Sequence, residues 1–303
     1  MPEIHLIVDE PTIIPIAEMQ LERSNVLQMA EWVKSHRPEC VPQEGFNNIS
    51  DLLPHDGSEI AYVDADGHLK QIRRKLSDNE LLVEIAGRKC YDSFAEKASP
   101  KTNREYIENT QKGMVPHASI MYHAKMTFFI AGVSRRVSHE LIRNYVGADR
   151  DEEGSPSQES TRFTHHYGWY VVHPRDLPPF IDPDDPKWEE YNLFKRLMQD
   201  NYDNYCQYID RQVIKYKEMH DGKGPVGIDR KRIYEAASQR LDHACETSFV
   251  WTTNPLALTK MFLERCGEAA DLEFQRFARK WRKICIDRWP NLFVRLQMLE
   301  KQM

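Results

Sequence analysis

Several familiar signatures are missing from this 303-residue chain. No apolar run approaches the roughly 18 residues of a spanning helix, so no membrane role is expected. The six cysteines (Cys40, Cys90, Cys206, Cys245, Cys266, Cys285) form no CxxC pair. That removes a zinc ribbon and points to free thiols in a reducing cytoplasm. There is no excess of basic residues: 41 Lys and Arg stand against 47 Asp and Glu, a formal net charge of −6. A broad nucleic-acid surface is therefore not expected, although a local basic pocket is compatible with that balance. No P-loop, no dinucleotide-type GxGxxG and no GxSxG elbow occurs. The start, MPEIHLIVDEP, is acidic and lacks the basic n-region of a signal peptide.

What is present reads as an α+β chain with long helices. Hydrophobic residues make up 41% and charged residues 29%, enough apolar material for a real core. Residues 1–75 differ from the rest and read as an N-terminal extension packed on a catalytic domain, 76–303. In the extension, MPEIHLIV suits a short strand and Ala17 to Lys34 an amphipathic helix. Asp66-Gly67 sits between two alternating segments as a hairpin signal. Ser77 with Glu80 is a capping box that opens a helix through Cys90. His123 to Ile130 reads as a buried strand and Ser134 to Tyr145 as a helix. Asp185-Pro186 predicts the cap and first residue of a helix running to about His220. Asp229 opens another helix. Asn254-Pro255 opens a third that reaches Trp289, where Pro290 stops it. Trp281 to Trp289 offers apolar surface for subunit contacts.

Three groups of residues could carry chemistry. On a helix from Asn254 to Trp289, Leu258, Phe262, Arg265, Ala269 and Leu272 share one face. Arg265 then stands in an apolar stripe and needs an acceptor: a glutamate of another helix, or a ligand carbonyl or phosphate. Arg136, Glu140 and Arg143 follow at i, i+4 and i+7, where a solvated Arg-Glu pair is the plain reading. In SPSQESTRF (155–163), an extended backbone would point Ser160 and Arg162 the same way, toward a phosphate or a pyrimidine edge. His117, Ser119 and His123 form HxSxxxH, but no Cys or carboxylate has matching local spacing, so no metal is expected.

These segments, in order, resemble the flavin-dependent thymidylate synthases. IAGRKCYDS (85–93) is similar to that family's early helix ending in Ala-Arg-x-Cys-Tyr-Ser. HASIMYHAKMTFFIAGVSRRVSHELIRNY (117–145) resembles its HxSxxEHxxFTFxIxGVSRxxxHQLxRHR stretch. SPSQESTRF resembles its Ser-x-x-(Glu/Gln)-x-Ser-x-Arg-Tyr motif, and TSFVWTTNPLALTKMFLERCGEAADLEFQ (247–275) its TxFxWTxNxRSLxxFLxLRxxxxAQxEIQ.

The resemblance implies methylation of C5 of dUMP with methylenetetrahydrofolate, FAD and NADPH. It implies a cytoplasmic homotetramer with active sites between subunits, and no enzyme cysteine attacking the base. Carried over position by position, Arg143, Ser160, Arg162 and Arg265 hold the uracil nucleotide, with Arg265 and Ser160 nearest the chemistry. His117, Ser119, Ser157, Gln158 and Asn254 match flavin-contacting positions. Asn144 and Tyr145 stand where the family has a flavin-touching His and Arg. Glu140 replaces a phosphate-side Gln. Ser238 stands in place of a nucleotide-binding Arg, with Arg240 nearby as its stand-in. Pro255-Leu256 and Ala269 also depart from the pattern. Fourteen residues separate Tyr145 from Ser160, more than the family spacing, because an acidic insertion bracketed by Gly147 and Gly154 lies between them. That insertion is expected to shape the pocket where the missing His and Arg would stand. The same chemistry on another uridine nucleotide such as UMP, and a nucleotide-binding homologue without flavin catalysis, are the alternatives.

Overall fold

The strand ETSFVWTT alternates buried and half-buried side chains along its whole length, the pattern of a sheet with one covered face. In the computed structural model the described residues are 3–38, 47–59, 62–70, 73–91, 93–94, 102–112, 116–145, 154–163, 169–177 and 181–300. Along them run β1 (His5–Ile7), β2 (Thr12–Glu18), α1 (Arg23–His36), β3 (Ser58–Glu59), β4 (Tyr62–Val63), β5 (Leu69–Lys70), β6 (Arg74–Lys75), α2 (Asp78–Cys90) and α3 (Asn103–Gln111). A 3-10 turn, Ala118–His123, leads to β7 (Met126–Ser134), α4 (Arg135–Tyr145), β8 (Gly154–Gln158) and β9 (Tyr170–Val172). Then come α5 (Trp188–Met219), α6 (Gly227–Ser238), β10 (Glu246–Thr253), α7 (Pro255–Arg265), α8 (Leu272–Arg288) and α9 (Val294–Glu300). The fold is α+β.

The central sheet has the order β2-β7-β10-β8, antiparallel throughout. One row across it reads Ile14, Phe129, Val250, Ser157. The opposite face buries Ile13, Phe128, Ile130, Phe249 and Trp251 against α4, α7 and α8. Phe128 meets Trp281 edge-on at 5.0 Å. Each such aromatic contributes roughly 1.5–3 kcal/mol by leaving water.

Several boundaries differ from the sequence reading. Ala17 and Glu18 belong to β2, and the first helix starts at Arg23. Pairing with β7 outcompetes the helical pattern there, and the Glu18 carboxylate accepts from Trp289 and Arg288. The strand expected from His123 begins at Met126, after the 3-10 turn, and runs on to Ser134. Asp185 forms a turn that accepts from Lys187 N, so α5 begins at Trp188. Helix α6 begins at Gly227, before Asp229.

The helix expected from Asn254 to Trp289 is two helices. Helix α7 ends at Arg265, and the Asp271 side chain caps α8 by accepting from Glu273 N and Phe274 N. Ala269 and Leu272 therefore do not share a helical face with Arg265. Trp281 and Trp289 are fully buried in their own chain, so they are not the free surface for subunit contacts that the sequence reading assigned them. The Asp66-Gly67 hairpin and the Ser77–Glu80 capping box form as expected.

Residues 1–75 are tied in by a buried polar network. Arg88 donates to Glu84 at 2.7 Å, with both side chains fully buried. His55 and Asn103 each reach the other Glu84 oxygen at 2.8 Å. Asn103 passes the network to Asn291, and Arg74 grips Glu80 with both terminal nitrogens. Burial pushes the Glu84 carboxyl up, but His55 and Arg88 outweigh it and hold it below the ordinary glutamate value. A carboxyl depressed on folding stabilises the protein above its unfolded pKa of about 4.3 and loses that contribution as pH falls through the folded value. Glu84→Gln strands the Arg88 charge and should cost about 3–5 kcal/mol at pH 7. Denaturant melts from neutral to acid pH should show a smaller loss of stability in the variant than in the wild type.

Candidate active site at the α4–α7 junction

The chain leaves β7 and enters α4 without a loop, so the first turn of α4 is fixed by what holds Ser134. Glu273 does this: it accepts from Ser134 N at 2.8 Å and Ser134 Oγ at 2.7 Å. Ser134 Oγ in turn accepts from Val137 N. Arg136 donates to both Asp271 oxygens and to Glu273. The sequence reading expected a solvated Arg-Glu pair among Arg136, Glu140 and Arg143; the capped start of α8 takes Arg136 instead, because two carboxylates converge there.

Glu140 is left to face α7. Its Oε2 lies 3.7 Å from Arg265 Nη1. Tyr145, at the end of α4 and 2% exposed, accepts from Arg265 Nε at 3.3 Å and donates to Glu264 Oε2 at 2.6 Å. The Arg265 guanidinium also lies 5.2 Å from the Phe274 ring centroid. Burial and the Glu264 hydrogen bond push the Tyr145 hydroxyl pKa up, so it stays a neutral donor. Burial opposes the Arg265 charge, but Tyr145, Glu140 and Glu264 outweigh it and raise its pKa. Arg265 is thus a pre-aimed cation, 23% exposed, whose Nη2 has no acceptor among the described residues. Of the acceptors offered by the sequence, the interhelical glutamate is present as Glu140.

Glu264 also lines a groove of about 410 Å³ with Leu256, Lys260 and Leu263 of α7, Ala118 of the 3-10 turn and Pro116 just before it. That volume lies within the range of small-molecule sites. Between Pro116 and Ala118 stands His117, whose Nδ1 is buried with no hydrogen-bond partner. Ser119 is exposed on the same turn. The groove mixes apolar walls with Thr259, Lys260, Glu264 and Arg295, a lining that suits a ligand with an apolar body and hydrogen-bonding edges. The sequence reading missed Glu264 and Lys260; a carboxylate directly beside Arg265 was the available signal.

The other expected residues are placed as follows. Arg143 is exposed on α4 and makes no ion pair or hydrogen bond among the described residues. Asn144 Nδ2 donates back to Glu140 O. Ser157 is exposed on β8, whereas Gln158 Nε2 turns inward to Ser138 Oγ and Thr247 Oγ1 at 2.8 and 2.9 Å. The Asn254 Oδ1 atom caps α7, accepting from Leu256 N and Ala257 N.

The segment after Gln158 is not extended. Residues 161–163 form a turn, closed by Phe163 N donating to Ser160 O at 3.1 Å. The turn still brings Ser160 Oγ and Arg162 Nε to 3.5 Å. Arg240 is engaged elsewhere: it donates to Ala236 O and lies 3.8 Å from the Tyr208 ring centroid. Ser238, Arg135 and Thr161 instead line a cavity of about 300 Å³. The carboxylates of the acidic insertion lie outside the described residues. Gly154, its last residue, is described: a Cβ there would come 2.1 Å from Trp251 and 2.7 Å from Tyr145 O.

Comparison with known proteins gives the family. Residues 71–291 match the family model described as thymidylate synthase complementing protein. The flavin-dependent thymidylate synthase of Mycolicibacterium vanbaalenii is 32% identical over 214 residues, 70% of this chain and 77% of that protein. The Corynebacterium diphtheriae protein of the same name is 32% identical over 219 residues, 72% of this chain and 79% of that protein. The chain belongs to this family. It is an enzyme of the flavin-dependent thymidylate synthase family, and no helix among its described residues is long and apolar enough to cross a membrane.

Arg265→Lys keeps the charge but loses the planar fork, whose separate nitrogens meet Tyr145 and Glu140 from fixed directions. Turnover should fall by roughly tenfold or more with the thermal midpoint nearly unchanged. Tyr145→Phe removes the link between Arg265 and Glu264 and should lower turnover in the same direction. Near wild-type turnover in both variants would remove Arg265 from the site.

Proposed function

We propose that the protein methylates C5 of dUMP, with methylenetetrahydrofolate as carbon donor, FAD as bound flavin and NADPH as reductant. The reading rests on one observation above others: Arg265 is held by Tyr145 and Glu140 with Nη2 left without an acceptor among the described residues, and its chain neighbour Glu264 lines a groove of about 410 Å³. Uracil C5 becomes nucleophilic only when negative charge spreads onto the ring carbonyls. A fixed cation at O2 or O4 stabilises that charge without reorganising, and more strongly where water is excluded. Arg143, exposed and without an ion pair among the described residues, and the Ser160–Arg162 turn are the candidates for the phosphate.

His117, Ser119 and the α7 face of Leu256, Lys260 and Leu263 would hold the flavin. The chemistry a flavin supplies there is two-electron redox, which conversion of a methylene to a methyl requires. The thiols of Cys206, Cys245, Cys266 and Cys285 are all pushed up by burial, Cys245 to about 12 and Cys266 to about 11. Such thiols are poor nucleophiles at neutral pH, in keeping with C5 activation by charge rather than by cysteine addition. The family resemblance further suggests a cytoplasmic homotetramer with its sites between subunits.

A second reading is the same chemistry on UMP. Neither Glu140 carboxylate oxygen accepts a hydrogen bond among the described residues, which leaves this carboxylate able to accept from a ribose 2′-hydroxyl. Purified protein should show the oxidised-flavin absorbance band and scatter light as a tetramer at micromolar concentration. With methylenetetrahydrofolate and NADPH, product should form from dUMP; product from UMP alone selects the second reading. A colourless protein that binds nucleotide without turnover would make it a binding homologue.

A further inference from the structure

Beside the phosphate-side turn lies a second pocket, of about 480 Å³. The turn after β8 contributes Arg162 and Phe163; the first turns of α6 contribute Gly227, Ile228, Arg230 and Lys231. Three of these six residues are cations and none is a carboxylate. Arg162 Cζ and Lys231 Nζ lie 5.9 and 5.6 Å from the Phe163 ring centroid, so one aromatic ring gathers both charges. Neither they nor Arg230 forms an ion pair among the described residues. Asp229 is the acid nearest in sequence to Arg230 and Lys231, and it accepts from the Tyr216 hydroxyl at 2.8 Å. In a chain of net charge −6, three cations converge here with no ion-pair partner among the described residues. Like charges gathered around a low-dielectric ring repel, and a bound anion relieves that repulsion. Phe163 and Ile228 are 62% and 63% exposed, which gives the pocket an apolar platform as well.

We propose that this pocket binds the oligoanionic tail of a ring-bearing small molecule, one with more negative charge than a single phosphate monoester. A monoester carries at most about two charges; three cations suit a longer acidic chain. Under the proposed function, on which this inference rests, two ligands offer that chemistry. One is a uracil nucleotide with a di- or triphosphate. The other is a folate whose glutamate chain supplies the carboxylates and whose benzoyl ring stacks on Phe163. Arg162 would be shared with the nucleotide site; Arg230 and Lys231 belong to the pocket alone.

The test is calorimetric titration of the full-length protein and of the Arg230→Gln, Lys231→Gln double variant. Glutamine keeps the helix propensity of α6 and removes both charges. The probes are dUMP against dUTP, monoglutamyl against triglutamyl methylenetetrahydrofolate, and inorganic tripolyphosphate. The wild type should bind one of the two long probes at least tenfold tighter than its short partner, and the identity of that pair names the source. The double variant should reduce the advantage to about twofold or less, with dUMP affinity unchanged. Tripolyphosphate, which needs neither flavin nor catalysis, should bind the wild type and bind the double variant at least tenfold more weakly. Equal binding of long and short probes, or an advantage that survives in the variant, overturns the inference while dUMP turnover keeps the proposed function. A protein that neither holds flavin nor binds dUMP sinks that function, and the tripolyphosphate titration still decides the pocket.

Discussion

The site depends on one carboxylate. Glu273, nearly buried, holds the backbone and hydroxyl of Ser134 where β7 becomes α4, and it shares Arg136 with the cap of α8. This single side chain fixes three elements against one another: the sheet, the helix bearing Glu140 and Tyr145, and the helix whose Phe274 lies against Arg265. Its hydrogen bonds involve a charged acceptor and a low-dielectric setting, so they are short and strong. Were that corner loose, the approach of Tyr145 to Arg265 would be one arrangement among many.

The path from sequence to site was uneven for physical reasons. The capping chemistry of Ser77 with Glu80 and the Asp66-Gly67 turn were readable because they depend on neighbours in sequence. The break between α7 and α8 was not, because the apolar spacing continues through Gly267 while the Asp271 cap competes with it locally. Ala17 and Glu18 were assigned to a helix because strand pairing with β7 is a long-range contact that no local pattern reports. For the site, Arg265 in an apolar stripe announced that it needed an acceptor. Nothing local said that Tyr145, 120 positions away, would provide it. The likeness in motifs carried residue positions but not orientations, and this separates Ser157, which faces outward, from Gln158 and Asn254, which are spent on the scaffold.

Arg265 illustrates how one side chain serves stability and chemistry together. A guanidinium with every donor satisfied internally would be a structural ion pair. One with none would swing among rotamers and lose entropy on binding. Here Nε and one terminal nitrogen face protein partners and the other terminal nitrogen does not. The cost of ordering is therefore met on folding, and the ligand meets a donor already aimed.

Gly154 packs so closely on Trp251 and on the Tyr145 carbonyl that no side chain fits. The two ends of the intervening eight residues are thereby clamped side by side, one at the last residue of a helix and the other at the first of a strand. A segment closed by its own anchors can lengthen with little penalty, since each doubling of a loop adds only about 0.6 kcal/mol of closure entropy. The position is consequently a natural graft point. Lineages could add, recharge or remove residues there without disturbing the sheet or the tyrosine that aims the arginine, which lets the rim of the cleft diversify while its floor stays constant.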